Sequence, residues 1–360
     1  MVKIAVAMSG GIDSSVAAAL LKKQGFDIFG VFIKFWAPPG KKSEKWNKCC
    51  SPSAEQQARQ TARAINIPFY SLDLKKEFKR EVVDYFLSEY KTGRTPNPCV
   101  VCNKKIKFGL LLRKACSLGA DCLATGHYAR KLELRDKTEK TAYRLLRAKD
   151  KSKDQSYFLW QLSQFQLKKV LFPVGELTKK KVKELAKKLA LPALTAPESQ
   201  EICFIQTSLS GFFKKYLSSK PGKIIDARGK IIGQHNGLCF YTIGQRKGIG
   251  LAGGPWYVKE KDKKRNILIV SRQKKDLMKN SLLVENVNWI SGRTPDKPIK
   301  AGIKIRYSPL SKPTIAQIIP IKGKKAKILL KKPLMAPAPG QSAVFYSKDE
   351  VLGGGIISYN

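Results

Sequence analysis

The chain opens on Val2-Lys3-Ile4-Ala5-Val6-Ala7-Met8, an apolar run of strand length, breaks at a Ser/Gly loop, and resumes as the Ala- and Leu-rich stretch Ser14 to Lys23. That order predicts a strand, a loop and a helix. The pattern continues with a strand at Ile28 to Lys34, a helix from about Ser53 to Asn66, a strand at Phe69 to Leu74 and a helix from Lys75 to Lys91. Further along, Ile106 to Leu118 reads as a helix, Cys122 to Thr125 as a buried strand ending in Gly126-His127, and Thr178 to Leu189 as a lysine-rich helix. Such alternation specifies the α/β class, a Rossmann-like parallel sheet covered by helices on both faces.

After about Ile205 the pattern changes. Gly and Pro punctuate short β-branched runs at Lys223 to Asp226, Trp256 to Lys259, Asn266 to Val270, Lys300 to Arg306, Thr314 to Ile319 and Ala343 to Tyr346. This predicts all-β material, with Lys259 to Arg265 as a hairpin turn and a break between two small modules near 270–283. The expected organisation is therefore a catalytic α/β domain at 1–205, a central β domain at 206–275 and a C-terminal β-barrel at 276–360. Trp36 to Pro52 reads as a mobile loop whose Cys49-Cys50 pair has no assigned role. His235 falls in a Gly/Asn turn and is given no function.

Charge alters this picture more than composition does. Lys and Arg number 69 against 27 Asp and Glu, a formal net charge of +42 in 360 residues. The excess is not a detachable tail, since residues 206–360 alone hold 30 basic and 8 acidic side chains. A field of this sign attracts polyanions and nominates nucleic acid as a partner. No apolar stretch suits a membrane span or an export signal, so a cytoplasmic location is expected. Eight unevenly spaced cysteines exclude a secreted disulfide framework and leave mostly reduced thiols.

Ser9-Gly10-Gly11-Ile12-Asp13-Ser14-Ser15 lies between the first strand and its helix, where successive backbone N–H groups and the helix end can cradle phosphate oxygens. Gly10 and Gly11 permit close approach, the serines add donors, and Asp13 can hold a magnesium ion or orient the loop. The Gly-Lys-Ser/Thr ending of a Walker loop is missing, which disfavours a phosphoryl-transferring NTPase. The segment resembles the PP-loop of ATP pyrophosphatases.

Six further segments narrow the resemblance: 95–103, 125–130, 153–158, 202–205, 241–248 and 338–341. Together, in order and across the whole chain, they resemble the bacterial tRNA-specific 2-thiouridylases. That resemblance implies a PP-loop domain, a small central β domain and a tRNA-gripping barrel. It implies a tRNA-uridine 2-sulfurtransferase that uses ATP and Mg2+ to adenylate the carbon-2 oxygen of the wobble uridine, releasing AMP and pyrophosphate. The tRNAs would be of the Lys, Glu and Gln type, and the sulfur would come from a sulfur-relay protein or a cysteine desulfurase. By carry-over, Ala7, Met8, Ser9, Gly10, Gly11, Ile12, Asp13 and Ser14 line the nucleotide site, Ile33 meets the adenine side, where the family often has Met, and Gly126 closes the pocket. Cys203 carries the persulfide; Cys102 is its partner, freeing the sulfur or closing a disulfide after transfer. Asn97, Pro98 and Cys99 border the target base, and His127, Lys153, Asp154, Gln155, Arg306, Tyr307 and Gln341 contact tRNA.

One departure stands out: the best-known form of the family has Asp where this chain has Cys99. A thiol replaces a carboxylate base only in part. Cys99 and Cys102 instead form a Cys-x-x-Cys pair that, with Cys203, supplies three thiolates, enough for a 4Fe-4S cluster with one open iron, for zinc, or for redox chemistry. The sequence leaves the cluster and the persulfide open. Two competing functions also remain at this level: a PP-loop ligase acting on a small molecule, and a non-catalytic RNA-binding protein regulated by ATP.

Overall fold

The computed structural model describes residues 2–38, 51–135, 141–195, 202–205 and 208–358. Cys49, Cys50 and most of the loop expected around them lie outside the described residues. The N-terminal alternation gives β1 (Lys3–Ala7), α1 (Ile12–Lys23), β2 (Asp27–Lys34), α2 (Pro52–Ala64) and β3 (Phe69–Asp73). Next comes α3, a continuous run through Lys75–Phe78, Lys79–Asp84 and Tyr85–Lys91. Then follow α4, through Pro98–Val101, Cys102–Leu111 and Leu112–Ser117, and β4 (Cys122–Thr125). After a hairpin, β5 (Ala129–Arg135) and β6 (Thr141–Arg147), the sheet is completed by β7 (Val170–Leu171). It is parallel throughout, in the order β3-β2-β1-β4-β7.

Both faces of this sheet are covered, which is why its strands read as unbroken apolar runs. Ala5, Phe29, Val31 and Ile33 point into a cluster with Phe78, Phe86 and Phe108 of α3 and α4. Their neighbours Ile4, Val6, Ile28 and Phe32 point the other way, onto Ala54, Ala58 and Ala62 of α2. The two-residue strand period sorts them.

Several expectations change. The helix expected at 106–118 begins at Pro98, because a proline is accommodated in the first helical turn, where its missing N–H has no intrahelical acceptor. Its middle, Cys102–Leu111, is wound as a π-helix, as is Lys79–Asp84 of α3. The region past 205 is not purely β: Ser208 accepts the Gly211 N–H at 3.0 Å and starts a helix, Leu209–Tyr216, whose Phe212 and Phe213 are buried. His235 does not sit in an open turn. It ends the strand Ile231–His235, is 1% exposed, and accepts the Gly237 N–H through Nδ1 at 3.0 Å.

The central module is a four-stranded sheet of β8 (Gly222–Ile225), β9 (Ile231–His235), β10 (Tyr257–Asp262) and β11 (Ile267–Ser271), in the order β10-β11-β8-β9. The lysine-rich turn is shorter than expected, since β10 runs to Asp262, whose carboxylate accepts the Arg265 N–H at 3.0 Å. Next come β12 (Met278–Trp289), β13 (Ile299–Lys304), β14 (Thr314–Ile321), β15 (Lys325–Met335), β16 (Ser342–Ser347) and β17 (Glu350–Ile357). Pairing in the order β12-β15-β14-β13-β16-β17, with β17 returning to β12, closes six strands into a barrel. The β5–β6 hairpin, unforeseen in the sequence, adds to β17 through Val351–Leu145. It sews the barrel to the α/β domain.

Candidate active site

The phosphate loop leaves β1 at the carboxyl end of the sheet, the edge where open α/β sheets hold ligands. Gly10 takes φ +78°, a left-handed conformation that glycine reaches without strain. Ser14 Oγ accepts the Ser9 N–H at 3.2 Å and donates to the Gly11 carbonyl at 2.9 Å, while Ser15 Oγ donates to the same carbonyl at 3.1 Å. These bonds fix the loop before any ligand arrives. Gly126, just past β4, closes over it: a Cβ there would lie 2.6 Å from Ser14 N and 2.7 Å from Asp13 C. Met8 and Ile12 are buried beneath, Ala7 is half-buried and Ser9 is exposed. Ile33, on β2, is 7% exposed and belongs mainly to the core.

Asp13 is held by two residues the sequence reading missed. Lys179 Nζ and the Tyr128 hydroxyl both donate to Asp13 Oδ1 at 2.7 Å. Lys179 is 7% exposed and begins the helix Lys179–Lys188. Its backbone N–H donates to Asp150 Oδ2 at 2.9 Å, tying the phosphate loop to the turn that leads into Lys153. No local pattern signals these contacts, because 115 and 166 residues separate the partners.

That turn divides the expected tRNA contacts into two kinds. Lys153 is half-buried at the rim. Asp154, also expected on the RNA, faces inward and is 3% exposed. Its Oδ1 accepts the Ala148 and Ser156 N–H groups at 3.0 and 3.2 Å, and its Oδ2 takes Arg147 Nε at 2.9 Å and Ser156 Oγ at 3.1 Å. With its acceptors occupied, Asp154 shapes the turn and does not reach out of it. Gln155 Oε1 accepts the Tyr128 N–H at 3.0 Å and ties the turn to the segment after β4.

The barrel brings its own residues to this turn. Arg306 and Tyr307 are exposed; Arg306 donates to the Ala336 carbonyl at 2.7 Å, and the Tyr307 ring lies 4.5 Å from Phe158 and 6.1 Å from Tyr157. Tyr157 donates to the Ser342 carbonyl at 2.9 Å, and its hydroxyl also meets the Asn97 side chain. Burial pushes the Tyr157 phenol above the usual tyrosine range, so it stays protonated. Gln341 turns toward the protein: its Nε2 donates to the Thr95 carbonyl at 2.8 Å and to the Pro96 carbonyl at 3.4 Å. Residues 95–97, 153–158, 306–307 and 341 thus meet around one rim.

Asn97 and Pro98 open α4, the first half-buried and the second buried. Cys99 on the first turn is exposed, while Cys102, one turn on, is 8% exposed within the large cluster. Cys203 is half-buried on that same cluster. Phe204 pins it there, with ring centroids 5.3, 5.6 and 5.9 Å from Phe86, Phe212 and Phe78. The fold therefore packs Cys102 and Cys203 on one cluster across a hundred residues of chain. Cys116, Cys122 and Cys239 are half-buried against apolar clusters, and burial raises the thiol pKa of Cys122 and Cys239. Among the described residues no group of three or more His, Cys, Asp or Glu is placed to hold a metal ion.

His127 sits between these parts. Its Nδ1 lies 2.8 Å from Thr125 Oγ1 and its ring 5.6 Å from that of Phe108, which α4 supplies. Desolvation, helped by the charge of Lys107, holds its pKa well below the ordinary histidine value, so the imidazole is neutral at physiological pH.

Residues 2–207 match the tRNA methyl transferase HUP domain, 210–272 the tRNA methyl transferase PRC-barrel domain and 279–357 the aminomethyltransferase beta-barrel domain. The chain is 47% identical to tRNA-specific 2-thiouridylase MnmA 2 of Thermoanaerobacter sp. (strain X514), over 99% of this chain and 97% of that one. The chain belongs to the tRNA-specific 2-thiouridylase family. Other members of that family are similarly close: the 2-thiouridylase of Clostridium perfringens (strain ATCC 13124) is 44% identical over 99% of this chain and 98% of its own, and that of Moorella thermoacetica 45% over 98% of each. Among the described residues no helix is long and apolar enough to cross a membrane.

Proposed function

We propose that the protein uses ATP to replace the carbon-2 oxygen of the wobble uridine of tRNA with sulfur. The observation that carries this reading is the phosphate loop, fixed by Ser14 and Ser15 and closed over by Gly126, in a chain whose Cys102 and Cys203 both pack on the large core that joins the α/β domain to the barrel. ATP lies with its phosphates against Ser9 to Ser14 and the amino end of α1, whose N–H groups stabilise the charge that develops on departing pyrophosphate. Asp13, the one carboxylate of the loop, and Lys179 beside it would hold the magnesium ion and phosphate charge that accompany ATP. The ion supplies Lewis-acid stabilisation when bound.

The target base must leave the anticodon stack to expose carbon 2. Asn97, Pro98 and Cys99 border it, with Lys153, Gln155, Arg306 and Tyr307 gripping the surrounding loop by charge and stacking. The uridine carbon-2 oxygen attacks the α-phosphorus, releasing pyrophosphate and leaving that oxygen bonded to AMP. A donor protein, a sulfur relay or cysteine desulfurase, has by then loaded Cys203 as a persulfide. Its terminal sulfur attacks carbon 2, and AMP departs with the original oxygen. Cys102 thiolate then attacks Cys203 Sγ, breaking the S–S bond, so that the sulfur stays on the base and the two cysteines become a disulfide. A thiol reductant restores them for the next turnover. Exposed Cys99 stands where a carboxylate base would, and we assign it contact with the base.

The test is nucleoside mass spectrometry after incubating the protein with unmodified tRNA, Mg-ATP and a persulfide donor. 2-Thiouridine at the first anticodon position is expected. Adenylation that proceeds fully without tRNA would instead favour a small-molecule ligase.

A further inference from the structure

Helix α4 carries Cys99 and Cys102 near its start and, further along, Phe108, whose ring stands against His127 and Phe172. The stretch between, Cys102–Leu111, is π-wound, a rare geometry with i→i+5 hydrogen bonds that turns less per residue than an α-helix. Two features hold it. Gly109 has no Cβ, and one built there would lie 2.8 Å from the Lys104 carbonyl oxygen. The Leu112 N–H, which α winding would direct at the Phe108 carbonyl, reaches the Gly109 carbonyl instead. Gln166 supplies a donor in its place: its Nε2 is 2.7 Å from the Phe108 oxygen and 3.5 Å from the Lys104 oxygen. Gln166 is itself fixed on the short helix Gln164–Lys168, where its Oε1 accepts the Ser163 N–H at 3.0 Å and its own N–H donates to Ser163 Oγ at 3.3 Å. The oxygen caps its own helix while the nitrogen grips α4. At the other end of the π stretch, Asn103 Nδ2 donates to the Phe158 carbonyl at 3.2 Å.

We propose that Gln166 is a positioning residue for sulfur transfer: by holding the π winding of α4 it sets the Cys102 thiol relative to the His127 side of the site. Asn103 anchors the cysteine end of the stretch and Gln166 the Phe108 end. Rewinding the residues between them as α-helix turns one end against the other, so a thiol placed to meet Cys203 would swing out of line. Displacements of about 1 Å at a reacting group are enough to slow a reaction about a hundredfold. Gln166 acts through the helix, and its loss is felt at the step that uses Cys102. The inference rests on the thiolation reading for the task of Cys102, while the winding itself does not.

The experiment compares wild type with three variants. Gln166→Glu keeps the oxygen that caps the short helix and removes the donor to α4; Gly109→Ala adds a methyl against the Lys104 carbonyl and removes no polar group; Ser163→Ala weakens the cap and leaves the donor. Four quantities are read: tRNA Kd by filter binding, tRNA-dependent pyrophosphate release, the alkylation rate of Cys102 in the RNA-free protein by peptide mass spectrometry, and the single-turnover rate of thiolation at saturating tRNA. Gln166→Glu and Gly109→Ala should keep Kd and pyrophosphate release within about twofold of wild type, change Cys102 alkylation at least about threefold, and thiolate about tenfold or more slowly. Ser163→Ala should match wild type in all four. Thermal melting checks that each is folded; should Gln166→Glu or Gly109→Ala fail, the other decides. Unaltered Cys102 alkylation or an unaltered thiolation rate in the folded variants would overturn the proposal. So would an equal loss in Ser163→Ala, which would assign the effect to the cap, or a Kd weakened about tenfold with the saturating rate unchanged, which would make Gln166 an RNA contact. If wild type forms no 2-thiouridine while alkylation responds as expected, the reaction reading fails and the hold of Gln166 on Cys102 stands.

Discussion

Lys179 Nζ and Asp13 Oδ1 are 2.7 Å apart, although 166 residues separate them in the chain. The contact gives the phosphate loop a buried cation matched to its carboxylate, so the site holds balanced charge without nucleotide. Replacing Lys179 by Met leaves Asp13 uncompensated and removes a cation from the phosphate site. The KM for ATP in pyrophosphate release should rise about tenfold or more, the weight of one charged hydrogen bond. A KM within about twofold of wild type would show that Lys179 serves only the fold.

Gly126 is a second tight point. Alanine there places a methyl 2.6 Å from Ser14 N, so the loop or the strand must move. Overpacking of this kind costs about 1–3 kcal/mol. Gly126→Ala should melt at lower temperature and bind ATP more weakly by calorimetry, with its tRNA Kd unchanged.

The inward turn of Asp154 separates two roles in adjacent residues. Asp154→Ala leaves Arg147, 12% exposed at its side chain, without its partner. Breaking such a buried pair costs about 3–5 kcal/mol. Denaturant unfolding should reveal that loss. Lys153→Ala should leave stability alone, weaken tRNA binding and reduce the salt dependence of log Kd by about one counterion. Equal effects of both changes on tRNA affinity alone, with no change in stability, would contradict the assignment.

Stability should also respond to acid through His127. Its folded pKa is depressed well below 6.5 by burial, so the unfolded chain binds the extra proton first. The stability this residue contributes is therefore full above about pH 6.5 and is lost as pH falls toward the folded value. Wild type minus His127→Gln, measured by thermal melting from pH 8 to 5, should be constant above about 6.5 and shrink below it. A difference that grows on acidification would mean that the charged imidazole is favoured in the fold.

If the thiols divide the labour as proposed, Cys203→Ser and Cys102→Ser should each lower 2-thiouridine formation by at least about a hundredfold. Both should keep tRNA-dependent pyrophosphate release. Loss of that release in either variant would place the cysteine in adenylation instead.

Much of the α/β domain was legible because its strands are buried on both faces and its helices are punctuated by Ser, Pro and Gly. Strand β1, the phosphate loop and α1 follow from the stretch Val2 to Lys23 alone. What stayed hidden depends on distant partners. The start of α4 at Pro98 was masked by a segment that reads as a loop of Thr, Pro and Asn, and the β5–β6 hairpin has exposed polar positions that only the barrel edge explains. The helix Leu209–Tyr216 is too short to announce itself before Phe212 and Phe213 find the aromatic cluster around Phe86. At the site, residue types were readable but directions were not: Asp154 is polar, yet it spends its hydrogen bonds on the protein, and Gln341 turns its amide nitrogen onto the Thr95 carbonyl.

The most direct measurement follows one oxygen atom. A tRNA bearing 18O at carbon 2 of its wobble uridine is turned over with unlabelled ATP and a persulfide donor, and the released AMP is weighed by mass spectrometry. One 18O per AMP, formed together with 2-thiouridine, is the predicted result. Unlabelled AMP alongside 2-thiouridine would mean that the oxygen leaves by another route and that the base is never adenylated.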